Sequence, residues 1–206
     1  MARKYELKKR ARSQQETRQK IVEAAVDLHG SLGPARTTIS AIAEKAGVQR
    51  LTVYRHFPDE RSIFRACTSH FFEVNPMPDP GAWRAIANPI ERLHRGLSEL
   101  FDYWQEHETM FTLAYRDADL APEAFEVSPF PALWQALLDA LSEGLVGDAP
   151  TDPGRAVLAH AIDFPTWQSL VRQRGMTHEQ AVDLLVCMVR CGTDADRSAP
   201  PHETSR

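Results

Sequence analysis

Residues 37–58 read TTISAIAEKAGVQRLTVYRHFP, and this stretch decides the fold. Ile39, Ile42, Ala43 and Ala46 recur at i, i+3, i+4 and i+7, one face of a short helix from about Thr38 to Ala46. Gly47 ends it, because glycine tolerates the left-handed geometry of a helix C-cap. A second short helix, about Gln49 to His56, follows at once. Its inward residues are Val53 and Phe57, with Val48 plugging the turn. Two short helices about a glycine-centred turn, the second rich in polar side chains, form a helix-turn-helix signature. The outer face of that second helix offers Gln49, Arg50, Thr52, Tyr54, Arg55 and His56. Arginine reads guanine O6/N7 and glutamine reads adenine N6/N7, whereas Thr, Tyr and His more often hold phosphates.

Upstream, Ile21, Ala24, Ala25 and Leu28 predict a helix from about Gln14 to Gly30, stopped by Gly30 and Gly33-Pro34. Residues 1–13 carry Lys4, Lys8, Lys9, Arg10 and Arg12 with little to bury, and read as a basic, disordered arm. Such an arm is either a solubilising tail or a DNA-contacting element. Downstream, Asp59 is a candidate N-cap for a helix carrying Ile63, Phe64, Cys67 and Phe71. A proline-rich linker covers 75–81. Beyond it come apolar stripes over 90–104 and 130–141, a short helix over 108–117, and loops at 122–131 and 144–152. Asp152-Pro153 opens a helix that runs to about Arg174 with a kink at Pro165. Thr177-x-x-Gln180 is a capping box for a last helix, and the polar tail from Gly192 reads as disordered. The fold class is therefore all-α. The domain reading is an arm (1–13), a helix-turn-helix domain (14–58), a helical body (59–192) and a tail (193–206).

Composition agrees. The 206 residues are 43% apolar and 25% charged, ordinary for a soluble globular chain. No apolar run approaches the ~20 residues that span a bilayer, and nothing resembles a signal peptide, so a cytoplasmic location and no membrane partner are expected. Residues 1–65 hold 14 of the 24 Lys+Arg and 7 of the 28 Asp+Glu, a net of +7, leaving −11 on the remainder. A basic head on an acidic body suits nucleic acid. Three cysteines make no disulfide framework. No metal-ligand spacing, nucleophile–base pairing or Gly-rich phosphate loop is present, so no enzyme activity, metal or cofactor is expected.

Over residues 18–66 the chain resembles TetR-type transcriptional regulators. The resemblance rests on Thr37-Thr38-Ile39-x-x-Ile42-Ala43-x-x-Ala46-Gly47-Val48-x-x-x-Thr52-Val53-Tyr54-x-His56-Phe57-Pro58. Ile21-x-x-Ala24-Ala25-x-x-Leu28 upstream and Ile63-Phe64 downstream match as well. It implies an all-α homodimer, joined through its last two helices, whose heads bind a palindromic double-stranded DNA operator and whose body binds a small-molecule effector of unknown identity. It further implies phosphate contacts from Thr38, Thr52, Tyr54 and His56, and base readout from Gln49, Arg50 and Arg55, although Arg55 equally suits a phosphate. Two positions depart from the pattern. Leu51 stands where a small residue is usual and can meet a thymine methyl. Glu60 stands where a lysine is common, and is expected to turn away from DNA with Arg61 in its place.

In the body, Phe101, Trp104, Phe111, Tyr115, Trp134, Phe164 and Trp167 are candidates for an effector pocket, although most such rings are ordinary core. Asp163 is a candidate polar group beside them, and Asp102, His107, Arg116 and His160 are others. Acids beside aromatics would favour an aromatic or cationic effector. Cys187 and Cys191 read as buried small hydrophobes. Apolar faces carrying Leu158, Ile162, Trp167 and Leu170, and Leu185, Met188 and Val189, serve either packing within the chain or dimerisation. The expected function is a repressor released from its operator by an effector. The alternative is an activator or architectural DNA binder without an effector.

Overall fold

A computed structural model describes residues 2–147 and 152–198. Among the described residues there are helices and no strands. They fall into two compact units, each built from two chain segments: residues 1–76 with 107–131, and residues 77–106 with 132–206. The division does not fall at 58/59. The helix that follows the head, and the 107–131 segment, belong with the head.

In the first unit α1 spans Ala2–Ser31, α2 Ile39–Lys45, α3 Arg50–His56 and α4 Glu60–Val74. A 3-10 turn at Pro34–Arg36 joins α1 to α2. Ile21, Ala25, Ile42, Val53, Phe57 and Ile63 form its core, each 3% exposed or less. Burial of the Ile, Val and Phe side chains among them stabilises by about 1.5–3 kcal/mol each. Caps fix the register: Thr38 Oγ1 accepts from Ala41 N at 3.1 Å. Asp59 Oδ1 accepts from Ser62 N at 2.7 Å, completing a capping box with Ser62.

The basic arm is helical from Ala2 and continuous with α1, against the expectation of disorder. Its Ala, Lys, Arg, Glu and Leu residues favour helix, no proline interrupts them, and Arg12 pairs with Glu16 one turn on at 2.9 Å. The same unit holds α7, Glu108–Asp117, and a short α8, Pro122–Glu126, within a stretch expected to be loop. Pro122 opens α8 at a position where a missing N–H costs nothing.

The second unit holds α5 (Pro80–Arg84), α6 (Pro89–Glu106), most of α9 (Phe130–Ser142), α10 (Pro153–Ile162), α11 (Phe164–Trp167) and α12 (His178–Ser198). Leu93, Leu97, Leu100, Phe101 and Trp104 of α6 are fully buried, as their stripe predicts. The expected kinked helix over 153–174 is instead broken. Asp163 is extended, Pro165 sits in the first turn of α11, and residues 168–173 wind as a π-helix. A proline at a helix start has no lost hydrogen bond to suffer, so the chain breaks just before it. The Thr177–Gln180 capping box forms, with Gln180 N donating to Thr177 Oγ1 at 3.2 Å and Thr177 N to Gln180 Oε1 at 3.0 Å. α12 continues through Ser198, so the tail is helical at 193–198; residues 199–206 lie outside the described residues.

Leu158, Ile162, Trp167, Leu185 and Val189 are buried inside this unit. The apolar face left exposed on α12 is Leu184 and Met188, with Cys187 and Cys191 beside them. The two cysteines are thus exposed rather than buried. Their i, i+4 spacing is shared with Leu184 and Met188, and the face packed on the unit lies one position away.

Candidate nucleic-acid interface and cavity

The recognition face is set by what α3 buries. Val53 is fully buried and Phe57, at its C-cap, is 1% exposed, so the opposite side of α3 faces out. Gly47, at φ +67, makes the left-handed turn between α2 and α3. Gln49 is the N-cap of α3. Gln49, Arg50, Leu51, Tyr54 and Arg55 are exposed, whereas Thr52 and His56 are half-buried. Leu51 is 67% exposed, more than any other α3 apolar side chain. Arg50 leans along the helix onto Tyr54, with Nη2 3.4 Å from the hydroxyl and the guanidinium 5.9 Å from the ring centroid.

All of these except Gln49 and Leu51 line one of two grooves. Thr38, Arg50 and Tyr54 line one, together with Thr37 and Ser40. Thr52, Arg55 and His56 line the other, with Ser13, Thr17 and Arg18 of α1 across from them. The contribution of α1 is absent from the sequence reading, although i, i+4 spacing puts Ser13 and Thr17 on one face. Arg18 also lies 4.7 Å over the Phe57 ring, bracing α1 against the end of α3. Glu60 does not turn away: it lines the Thr38–Arg50–Tyr54 groove. Arg61 is engaged instead with Glu126, at 2.8 Å.

A second feature of this unit is an apolar cavity of about 80 Å³. Its walls come from α1 (Val26, His29), α4 (Phe64, Cys67, Phe71) and α7 (Met110, Phe111, Tyr115), with Ala124 of α8 and Phe130 at the start of α9 also lining it. Of the residues proposed for a pocket, Phe111 and Tyr115 line it. Phe101, Trp104, Phe164 and Trp167 are instead fully buried core of the second unit. There Trp134 Nε1 donates to Asp163 Oδ1 at 3.0 Å, and burial raises the Asp163 pKa against that hydrogen bond. Asp102 and His160 are engaged nearby, Asp102 with His178 Nδ1 at 3.2 Å and His160 with Thr166.

The cavity's one buried polar pair is His29 and Cys67, Nδ1 to Sγ 3.4 Å. Burial lowers the imidazole pKa to about 4 and raises the thiol to about 12, so both are neutral at pH 7. His29 stacks on Phe64 at 5.1 Å, as a neutral ring can. Among the described residues no group of three metal-ligating side chains comes together, and no helix is long and apolar enough to cross a membrane.

Residues 21–67 match the model for bacterial regulatory proteins of the tetR family. The chain is 35% identical over 101 residues to two HTH-type transcriptional regulators of Pseudomonas putida, SrpR and TtgW. With SrpR the match covers 46% of this chain and 47% of the relative, so the chain spans about half of that protein's length. With TtgW it covers 46% and 75%. Among solved structures, a TetR-family regulator from Streptomyces coelicolor superposes with TM-score 0.60 at 21% identity, covering 89% of this chain and 85% of the other. A TetR-family regulator from Marinobacter aquaeolei gives 0.59 at 19%, covering 89% and 97%. The helix-turn-helix, its caps and these likenesses agree: the chain belongs to the TetR family of bacterial transcriptional regulators.

Proposed function

We propose that this protein is a sequence-specific, homodimeric repressor that leaves a palindromic operator when a small molecule binds it. The observation that carries the reading is the split character of α3. One side is sealed into the core by Val53, while the other presents Arg50, Leu51, Tyr54 and Arg55 to solvent. Two copies then place α3 in successive major grooves, about 34 Å apart. Arg50 and Gln49 read bases, and Thr38, Tyr54 and the Thr52–His56 groove hold phosphates. The exposed Leu184–Met188 face of α12 is the dimer contact in this reading. An effector shifts the equilibrium only by its differential affinity for the bound and released states. The cavity is the natural place for it, because both the head helices and α7 contribute walls.

The test is selection of bound sequences from random duplex DNA at fixed salt. Recovery of one palindrome supports the reading. Binding without a motif that vanishes as salt rises overturns it in favour of an architectural binder. On the recovered operator, Arg50→Ala is expected to cost about 1–3 kcal/mol and relax one base position, whereas Tyr54→Phe weakens all sequences evenly.

A further inference from the structure

The last turn of α7 reaches from the cavity to the turn that launches α2. Arg116 Nη2 donates to Leu32 O at 2.7 Å. Its Nε and Nη2 grip both oxygens of Asp117, at 2.7 and 3.0 Å. Asp117 Oδ2 in turn accepts from Ala35 N at 3.0 Å. Asp117 is 2% exposed, and Arg116 holds its carboxyl in the ionised form. Gly33 sits inside this grip at φ +96, where a Cβ would collide with both side chains. The segment held, 32–35, runs directly into Thr38 and α2.

The cavity's size says which wall must move. At about 80 Å³ it is smaller than the ~150 Å³ cavity that admits benzene. Any aromatic occupant therefore displaces side chains. The α1 and α4 walls belong to the head core, with Phe64 and Cys67 buried there. Of α7, only Phe111 and Asp117 are buried, and Met110 is an adaptable filler. α7 is therefore free to give, as are the α8 and Phe130 walls, but of these only α7 runs on to the 32–35 turn. No carboxylate lines the cavity, and His29 is neutral, so a cation finds no counter-charge in it.

We propose that the cavity takes a small neutral aromatic or aliphatic molecule, and that Arg116 and Asp117 transmit its occupancy from α7 to the 32–35 turn. This rests on the effector-released reading. The carboxylate is a positioning group: it holds Ala35 N, and hence the entry to α2, in register with α7.

The test uses toluene as probe on the full chain, read three ways: binding by calorimetry, exchange of the Ala35 amide by NMR, and affinity for the selected operator. In the parent, toluene is expected to bind, speed Ala35 exchange at least tenfold and weaken operator binding about tenfold. Arg116→Met acts at a side chain 38% exposed but leaves the Asp117 carboxylate without its cation, so its thermal midpoint is measured first and the comparison is made where it folds. It is expected to bind toluene within twofold of the parent, yet lose operator affinity by less than twofold when toluene is added. Asp117→Asn is expected to behave alike where it folds. Absence of toluene binding overturns the assigned ligand class. Undiminished toluene-driven release in Arg116→Met overturns the coupling. Toluene that speeds Ala35 exchange in the parent, but not in Arg116→Met, without touching operator affinity supports the coupling and sinks the effector-released reading alone.

Discussion

Arg61 Nη1 lies 2.8 Å from Glu126 Oε2, while its neighbour Glu60 lines the groove that Arg50 and Tyr54 also line. In the proposed docking this groove faces phosphates, which a carboxylate repels, and the effect is screened by salt. Glu60→Gln is expected to raise operator affinity a few-fold at ~50 mM salt, and Glu60→Lys to raise it further and steepen the salt dependence by about one counterion. Arg61→Ala is expected to change little, since an exposed ion pair is worth about 0–1 kcal/mol. Fluorescence anisotropy across a salt series checks both. A Glu60→Lys that binds no more tightly at low salt would remove this groove from the DNA face.

The head was legible because its punctuation is local. Gly47 forces the turn, Thr38 and Asp59 cap from within three residues, and Val53 and Phe57 follow from helical spacing. The cavity was not legible, because Val26, Phe64 and Phe111 stand far apart in sequence and share no period. The unit boundary escaped for the same reason. What ties 107–131 to the head includes a bond between Asp117 and Ala35, 82 residues apart. Nothing in the run Arg116-Asp117 distinguishes it from a solvated pair. The fate of Arg61 likewise turned on Glu126, which sits in a stretch read as loop.

Stability is expected to fall as the medium is acidified through the His29 window. Burial holds this imidazole at about 4, against 6.5 for an unperturbed histidine. Between those values the unfolded chain binds the proton more readily than the folded one. Stability from neutral His29 is therefore fully present above about pH 6.5, declines as pH falls toward 4, and levels off below it. The shift corresponds to roughly 3 kcal/mol at most. Urea midpoints at pH 7, 5.5 and 4.5 measure the slope. His29→Leu is expected to flatten the slope across that window whatever it does to the neutral-pH midpoint, and an unchanged slope would assign the acid sensitivity elsewhere.

Gly33→Ala tests the turn at the end of α1. Its φ of +96 is strained for an L side chain, and the new Cβ would meet the Arg116 guanidinium and the Asp117 carboxylate. A loss of about 1–3 kcal/mol is expected from denaturant unfolding. Arg116→Met removes one of the two obstacles, so the same substitution in that background is expected to cost less, with the backbone strain remaining. Equal costs in the two backgrounds would mean that strain alone, and not the grip of α7, fixes this turn.

The exposed face of α12 gives the last prediction. Leu184 and Met188 are 40% and 41% exposed one turn apart, beside a helix face whose Leu185 and Val189 are fully packed. Apolar side chains placed this way cost little to replace in an isolated chain, but covering them drives association. Leu184→Asp with Met188→Asp is therefore expected to leave the thermal midpoint of a dilute sample within a few degrees, while raising the dimer dissociation constant at least a hundredfold by sedimentation. Operator affinity should fall with it, because a monomer docks one α3 rather than two. If the double variant stays dimeric, α12 is not the contact, and the apolar face has another occupant. If instead it unfolds, its side chains are more deeply engaged in the chain's own core than their exposure allows.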